Sequence, residues 1–248
     1  MNSRTFREII QLNKDFYDRA GEEFSKTRQS AWPGWGRVIK PVEQILPRNR
    51  KTSILDIGFG NGRFYEYLAE KTPKDRISYR GVDSSQRLLL EAKNKYKNMD
   101  ARFEEMDVIT KFPEFAEYYD VIVIFGVAHH IPSSKYREKW FNVVTHNLQK
   151  NGILVFTIWD FQNDPRYKNS IQSVKTNIIN INSKDLENGD FFLGWQNIKN
   201  VYRYCHSYSE DEISEILSIL QKNGMKSVED FYSDGRSGRL NRYFICQF

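Results

Sequence analysis

The feature that most constrains the fold of this 248-residue chain is a short apolar run, Ser53 to Ile57, that ends in Gly58-Phe59-Gly60-Asn61-Gly62. A helix-spaced segment, Arg63 to Lys71, follows with Phe64, Tyr67 and Leu68 on one face. Strand, glycine loop and helix in that order form the opening of a parallel α/β unit. Glycines at such a turn take positive φ and let the backbone approach a ligand closely. By itself the pattern suits a dinucleotide pyrophosphate, another ligand or an ordinary glycine turn.

The rest of the chain repeats the alternation. Ile77 to Val82 reads as a strand ending at Asp83, Gln86 to Lys95 as a helix and Ala101 to Met106 as a third strand. Tyr119 to Phe125 is a continuous apolar strand, Lys135 to Leu148 an amphipathic helix, and Gly152 to Trp159 another apolar strand after the turn Lys150-Asn151-Gly152. Strands alternating with helices predict a mainly parallel sheet covered on both faces. Before this core, Thr5 to Leu46 reads as helices broken around Ala31-Trp32-Pro33-Gly34-Trp35. After it, 161–201 is polar and too long for a plain connection, which predicts an insertion or lid. Glu210 to Asn223 reads as a helix capped by Ser209 and Glu212, and Lys226 to Tyr232 and Arg242 to Phe248 as closing strands. The expected organisation is one domain: a helical cap over 1–50, a ligand-binding core over 51–160, the insertion over 161–201 and a closing unit over 202–248.

Two cysteines, Cys205 and Cys246, are too few for a disulfide framework and lack paired zinc-ligand spacing. With no long apolar run and a charged start, this predicts a cytoplasmic protein without membrane contact. The net charge of +5 is compatible with an anionic partner such as RNA without requiring one.

Three further features follow the loop in order. Asp83 stands at a strand end, where a carboxylate accepts ribose hydroxyls, as it would for NAD. Asp107 is placed to accept from an adenine amino group, with Val108 adding apolar contact, or else to cap a turn. The strand from Asp120 to Phe125 delivers Gly126, Val127, Ala128, His129 and His130 to the sheet edge where ligands bind. The series from Ile54 to Trp159 resembles the class I S-adenosylmethionine-dependent methyltransferases. That resemblance implies a three-layer Rossmann-like seven-stranded sheet and S-adenosyl-L-methionine as cofactor. It assigns the cofactor to Asp56, Gly58, Gly60, Asn61, Gly62, Asp83, Ser84, Asp107, Val108 and Phe125.

Pyrimidine carbon-5 methylation usually needs a cysteine nucleophile, and neither cysteine lies in a strand-end loop of the core. Adenine amino methylation typically carries an Asn/Asp-Pro-Pro-Tyr type motif where this chain has Phe125-Gly126-Val127-Ala128. Five other places carry a second resemblance: Phe24-Ser25-Lys26-Thr27-Arg28 with Trp32-Pro33; His129-His130-Ile131; Ile158-Trp159-Asp160-Phe161-Gln162; Gly189-Asp190 with Trp195; and Arg203-Tyr204-Cys205-His206-Ser207-Tyr208. In this order they are similar to the tRNA methyltransferases that esterify 5-carboxymethyluridine at the wobble position. The family usually has Cys where Phe59 stands, Pro for Gly194, an aromatic for Cys205 and Glu for Phe161. The resemblance implies a tRNA anticodon loop as substrate and a small zinc-binding activator subunit as partner.

A carboxylate of pKa about 4 is ionised at neutral pH and needs no catalytic base. Positioning cations would dominate instead, and Arg28 and Arg203 are the candidates, a surface ion pair being the plain alternative. His129 is the candidate for substrate contact, with His130 as a packing residue. Adjacent histidines on extended chain diverge, so no metal site is expected. Trp32, Trp159 and Tyr204 either stack on a base or belong to the core, and His206 either orients substrate or is structural. Two rivals stand beside this reading: an oxygen or nitrogen methyltransferase of a small metabolite, and a non-catalytic member of the fold.

Overall fold

A computed structural model of the chain describes residues 1–45, 49–97, 99–111, 115–167, 171–172, 181–195 and 198–248. Its frame is a seven-stranded sheet of β1 (Thr52–Ile57), β2 (Ile77–Asp83), β3 (Ala101–Glu105), β4 (Tyr119–Ile124), β5 (Leu148–Trp159), β9 (Lys226–Ser233) and β10 (Asn241–Gln247), in the order β3-β2-β1-β4-β5-β10-β9. Pairings among β1 to β5 are parallel, and β10 runs antiparallel to both its neighbours. The chain leaves β1 toward β2 and β3 on one side and returns on the other at β4. That reversal opens a crevice beyond the carboxyl ends of β1 and β4.

Alternation along the strands explains the layers. Ile54, Val121 and Val123 point to one face, where they join Trp35 and Val38 of α2 (Trp35–Gln44), Phe64 and Leu68 of α3 (Arg63–Lys71), and Leu89 and Ala92 of α4 (Gln86–Lys95). Leu55, Ile57, Ile122 and Ile124 point to the other, against Trp140, Phe141 and Val144 of α5 (Ser134–Thr145) and Ile213, Ile216 and Leu220 of α6 (Glu210–Lys222). The expected three-layer Rossmann-like sheet is the observed one. Ser209 and Glu212 form the capping box at the start of α6 that the spacing predicts.

The insertion differs from its expected form. Part of 161–201 lies outside the described residues, but β6 (Ile171–Gln172), β7 (Asp190–Trp195) and β8 (Ile198–His206) make a separate antiparallel sheet. It packs against α1 (Ser3–Lys26): Ile9 meets Phe192 and Tyr204, and Phe16 and Ala20 meet Trp195 and Val201. Short strands broken by Gly194 and flanked by polar sequence hid this period-two pattern. The sheet buttresses α1, and α1 in turn roofs the crevice. No described helix is long and apolar enough to cross a membrane.

Candidate active site

The crevice is a cavity of about 240 Å³ between the glycine loop, the ends of β2 to β4 and α1. Gly58, Gly60 and Gly62 all have positive φ, at 77°, 61° and 81°. A Cβ on Gly58 would sit 2.2 Å from Val127, so the loop can follow this path only with glycine there. Gly62 starts α3 in a left-handed conformation, where a Cβ would strike Tyr96 at 2.4 Å; it shapes the loop and does not line the cavity.

Acidic groups occupy the cofactor end. Asp83 accepts from the Gly60 amide at 2.9 Å through one oxygen and from the Ser85 amide at 2.9 Å through the other, so backbone donors hold its carboxylate at the cavity wall beside Ser84. Burial raises its pKa against those hydrogen bonds. Asp56 is almost wholly buried; one oxygen accepts from the Tyr79 hydroxyl at 2.5 Å and the other, Oδ1, has no partner. Desolvation, with the nearby Asp83 charge, pushes its pKa up to about 7. An unpartnered buried oxygen costs free energy unless a donor arrives. Asp56 therefore fits a ligand that brings a cationic or hydrogen-bond donor group, and the cradle of Gly58 and Gly60 fits its close approach.

Asp107 lines the cavity, yet both its oxygens are engaged locally, Oδ1 by the amides of Ile109 and Thr110 and Oδ2 by the Thr110 hydroxyl at 2.6 Å. The capping alternative is thus realised, and contact with an adenine would have to share those lone pairs. Val108 and Phe125 supply apolar wall. Asn61 lines the cavity, and its side-chain nitrogen donates to Ser25 Oγ at 3.1 Å and to the Arg28 carbonyl at 3.0 Å.

The other end is cationic and aromatic. Arg28 lines the cavity with its guanidinium 3.6 Å from the Phe24 ring centre; burial, then the nearby Arg203, lower its pKa to about 10. Arg203 lies behind it, 3% exposed, among Phe16, Phe24, Trp159 and Trp195, with Nε lacking any hydrogen-bond partner. Among the described residues neither arginine forms an ion pair with a carboxylate. Arg63, which sequence reasoning missed, also lines the cavity, lies 5.7 Å and 5.6 Å from the Trp32 and Trp35 ring centres, and is lowered to about 10 by burial.

The histidines exchange the roles assigned from sequence. His130 lines the cavity, whereas His129 does not; His129 rests 4.9 Å from Trp159 with Nδ1 unpartnered. The reason is the short 3-10 turn Ala128–His130, which rotates successive side chains instead of alternating them. The Tyr204 carbonyl can only accept, so His130 Nδ1 carries the hydrogen and Nε2 accepts from the Tyr17 hydroxyl at 2.8 Å. Burial drives His130 down to about 3 and His129 well below the ordinary histidine range, so both are neutral. His129, His130 and Cys205 bring potential ligand atoms within 4.8 Å of one another. Both His130 nitrogens are already bonded, burial pushes the Cys205 thiol up to about 12, and Arg203 adds positive charge; each opposes a cation.

Tyr204 and His206 are structural: Tyr204 donates to Asp190 at 2.6 Å, and the fully buried His206 bridges Asp190 at 2.7 Å and Glu212 at 2.9 Å. Trp159 is core, while Trp32 lines the cavity. Tyr17, also missed, stands on the α1 face shared by Asn13 and Phe24, a helical spacing that would have singled it out.

Residues 54–152 match a family model described as a methyltransferase domain. No curated protein matches the sequence. Among solved structures, a S-adenosylmethionine-dependent methyltransferase from Clostridium acetobutylicum is similar at 18% identity and a TM-score of 0.63, over 94% of this chain and 98% of that one. The 1,6-didemethyltoxoflavin-N1-methyltransferase of Burkholderia thailandensis is similar at 13% identity and a TM-score of 0.60, over 98% and 89%. The N-methyltransferase NodS of Bradyrhizobium japonicum gives 16% and 0.54, over 98% and 97%. Such likenesses establish the fold. Residues 54–152 thus form a methyltransferase domain, and its fold and glycine-loop crevice are those shared with the S-adenosylmethionine-dependent methyltransferases, which supports an enzyme of that activity with that cofactor.

Proposed function

We propose that the chain transfers a methyl group to a carboxylate, that of 5-carboxymethyluridine at the wobble position of tRNA. The observation that carries this reading is Arg28 in the cavity wall with Arg203 buried behind it, neither in an ion pair with a carboxylate among the described residues. Two neighbouring guanidinium groups repel each other unless an anion joins them, and carboxylates and phosphates match their geometry. Bound S-adenosylmethionine supplies a methyl group already activated on a sulfonium.

The residues of the chain then have separable tasks. Asp83, and Asp56 through its free oxygen, hold the cofactor's donor groups, and Gly58 and Gly60 let it lie against backbone. Arg28 orients the acceptor carboxylate, with Arg203 behind it fixing the local charge. Trp32, Trp35 and Phe125 wall the cavity against water. No residue has to remove a proton, because the acceptor is ionised at neutral pH, and the neutral His130 holds the Tyr17 hydroxyl in place.

The exposed Lys14 at the cavity and the +5 net charge support an anionic polymer as substrate. The proposal extends to a cytoplasmic setting and to a small zinc-binding activator subunit, for which β3 offers an edge strand of the main sheet. The roofing of the cavity by α1 favours a second reading, a small carboxylate-bearing metabolite. Incubation of the protein, alone and with a candidate activator, with labelled cofactor and total tRNA carrying 5-carboxymethyluridine separates the two. Label in a modified uridine supports the tRNA reading, and cofactor binding without tRNA labelling in either condition moves the acceptor to a small molecule.

A further inference from the structure

The glycine loop reaches beyond the cofactor end. Asn61 is buried between Gly60 and Gly62 and donates to Ser25 Oγ and to the carbonyl of Arg28 at 3.1 and 3.0 Å. Two residues on, Arg63 donates to the carbonyl of Ser30 at 2.7 Å. The backbone on both sides of Gln29 is thus tied to the loop. On the opposite side, the Gly60 amide donates to Asp83, and Ser25 donates onward to Glu91 of α4 at 2.6 Å. Asp83, Gly60, Asn61 and the Arg28 backbone form one chain of hydrogen bonds and covalent links from the cofactor carboxylate to the acceptor guanidinium.

We propose that Asn61 is a positioning residue that couples the cofactor loop to Arg28, so that cofactor binding fixes the acceptor-side strap at 25–30. Because the side-chain nitrogen of Asn61 serves the strap at Ser25 and Arg28, its deletion frees that part of the strap and leaves only the Arg63 bond to Ser30. A cofactor that settles Asp83 and Gly60 restricts Asn61, and Asn61 restricts the backbone that aims Arg28. By linkage the effect is mutual: an anion held by Arg28 tightens the cofactor by the same factor. The coupling rests on the acceptor reading only for the identity of that anion.

The test is backbone amide hydrogen exchange of the full chain with and without S-adenosylhomocysteine, in the wild type, Asn61→Asp and Asn61→Ala. Asn61→Asp preserves shape but puts an oxygen against the Arg28 carbonyl; Asn61→Ala removes the donor without adding charge. Thermal unfolding verifies that each variant folds, and either one that folds decides the matter. In the wild type the ligand slows exchange at both 56–63 and 25–30. In the variant, protection at 56–63 persists with ligand affinity within about threefold, while protection at 25–30 falls by about tenfold. Unchanged protection at 25–30 overturns the proposal, and so does loss of ligand affinity together with protection at 56–63, which would make Asn61 a cofactor contact. Neither result depends on tRNA, so failure of the acceptor reading leaves this experiment decisive.

Discussion

The two ends of the cavity are built from opposite charges by opposite means. At the cofactor end, the carboxylates at the ends of β1 and β2 and after β3 are held by backbone and hydroxyl donors: Asp56 by Tyr79 of β2, Asp83 by the amides of Gly60 and Ser85, and Asp107 by the amides of Ile109 and Thr110. At the acceptor end, the guanidinium groups of Arg28 and Arg203 come from α1's outgoing strap and the inserted sheet, and aromatic faces surround them in place of carboxylates. A carboxylate fixed by amides is preorganised for a ligand with donors. Cations packed on rings keep their attraction for an anion, because ring quadrupoles stabilise the charge without occupying its hydrogen-bonding directions. The first end belongs to the fold, and the second belongs to what this chain adds to it.

Breaking either end should leave the other standing. The largest effect is expected for Asp83→Ala, which removes a ligand acceptor and frees the Gly60 amide: loss of about 2–4 kcal/mol, or roughly 30- to 1000-fold in cofactor affinity by calorimetry. Arg28→Ala should lower kcat/KM for the anionic acceptor by roughly 10- to 100-fold with cofactor affinity nearly unchanged, and Arg28→Lys should recover only part of it. Raising salt should weaken binding of a tRNA acceptor more than cofactor binding, since a polyanion releases many counterions on binding whereas the cofactor carries a single net charge.

A smaller effect sharpens the comparison from outside the cavity. A latch of buried Arg137, His206 and Asp190 with half-buried Glu187 and Glu212 ties the insertion to α5 and α6. Glu212→Gln should lower the thermal midpoint by about 5 °C. His206 has a raised pKa in the fold, from its bonds to Asp190 and Glu212 against burial, so its contribution is full below about 6.5 and is lost as pH rises through the folded value. Glu212 is lowered to about 2 in the fold, by His206, Ser209 and Arg137 against burial, so its contribution is present above about 4.5 and is lost as pH falls toward 2. Latch stability should therefore peak between those limits, and the peak should vanish in Glu212→Gln. The smallest expected effect is on the rate at saturating cofactor: with both histidines neutral, an ionised acceptor and Asp56 held ionised by the bound cofactor's cationic group, turnover should vary by no more than about twofold between pH 6 and 8, whereas cofactor affinity should rise with pH as Asp56 ionises near 7.

The cofactor end was the legible half of the sequence because each residue there follows a strand whose hydrophobic run announces its end. Gly58, Asp83 and Phe125 fell where the alternation of strand and loop put them. The acceptor end comes together only in three dimensions. Tyr17 is visible only as a face of α1, and Arg203 lies on a strand of an inserted sheet whose neighbours are too polar to signal it. His129 and His130 would diverge on an extended chain, and the 3-10 turn replaces that geometry and brings His130 to the cavity. Asn61 and Asp107 illustrate a different limit: both line the cavity where residue type and position put them, but the backbone hydrogen bonds each also makes are not announced by the sequence.

The most direct test of an acidic end for the cofactor and a basic end for a carboxylate is a paired transfer assay. Labelled S-adenosylmethionine would be offered with an anticodon stem-loop carrying 5-carboxymethyluridine and with one carrying its uncharged amide. The account predicts label on the acid alone, released by mild alkali as expected of an ester. Equal labelling of the amide, or label that survives alkali, would contradict it.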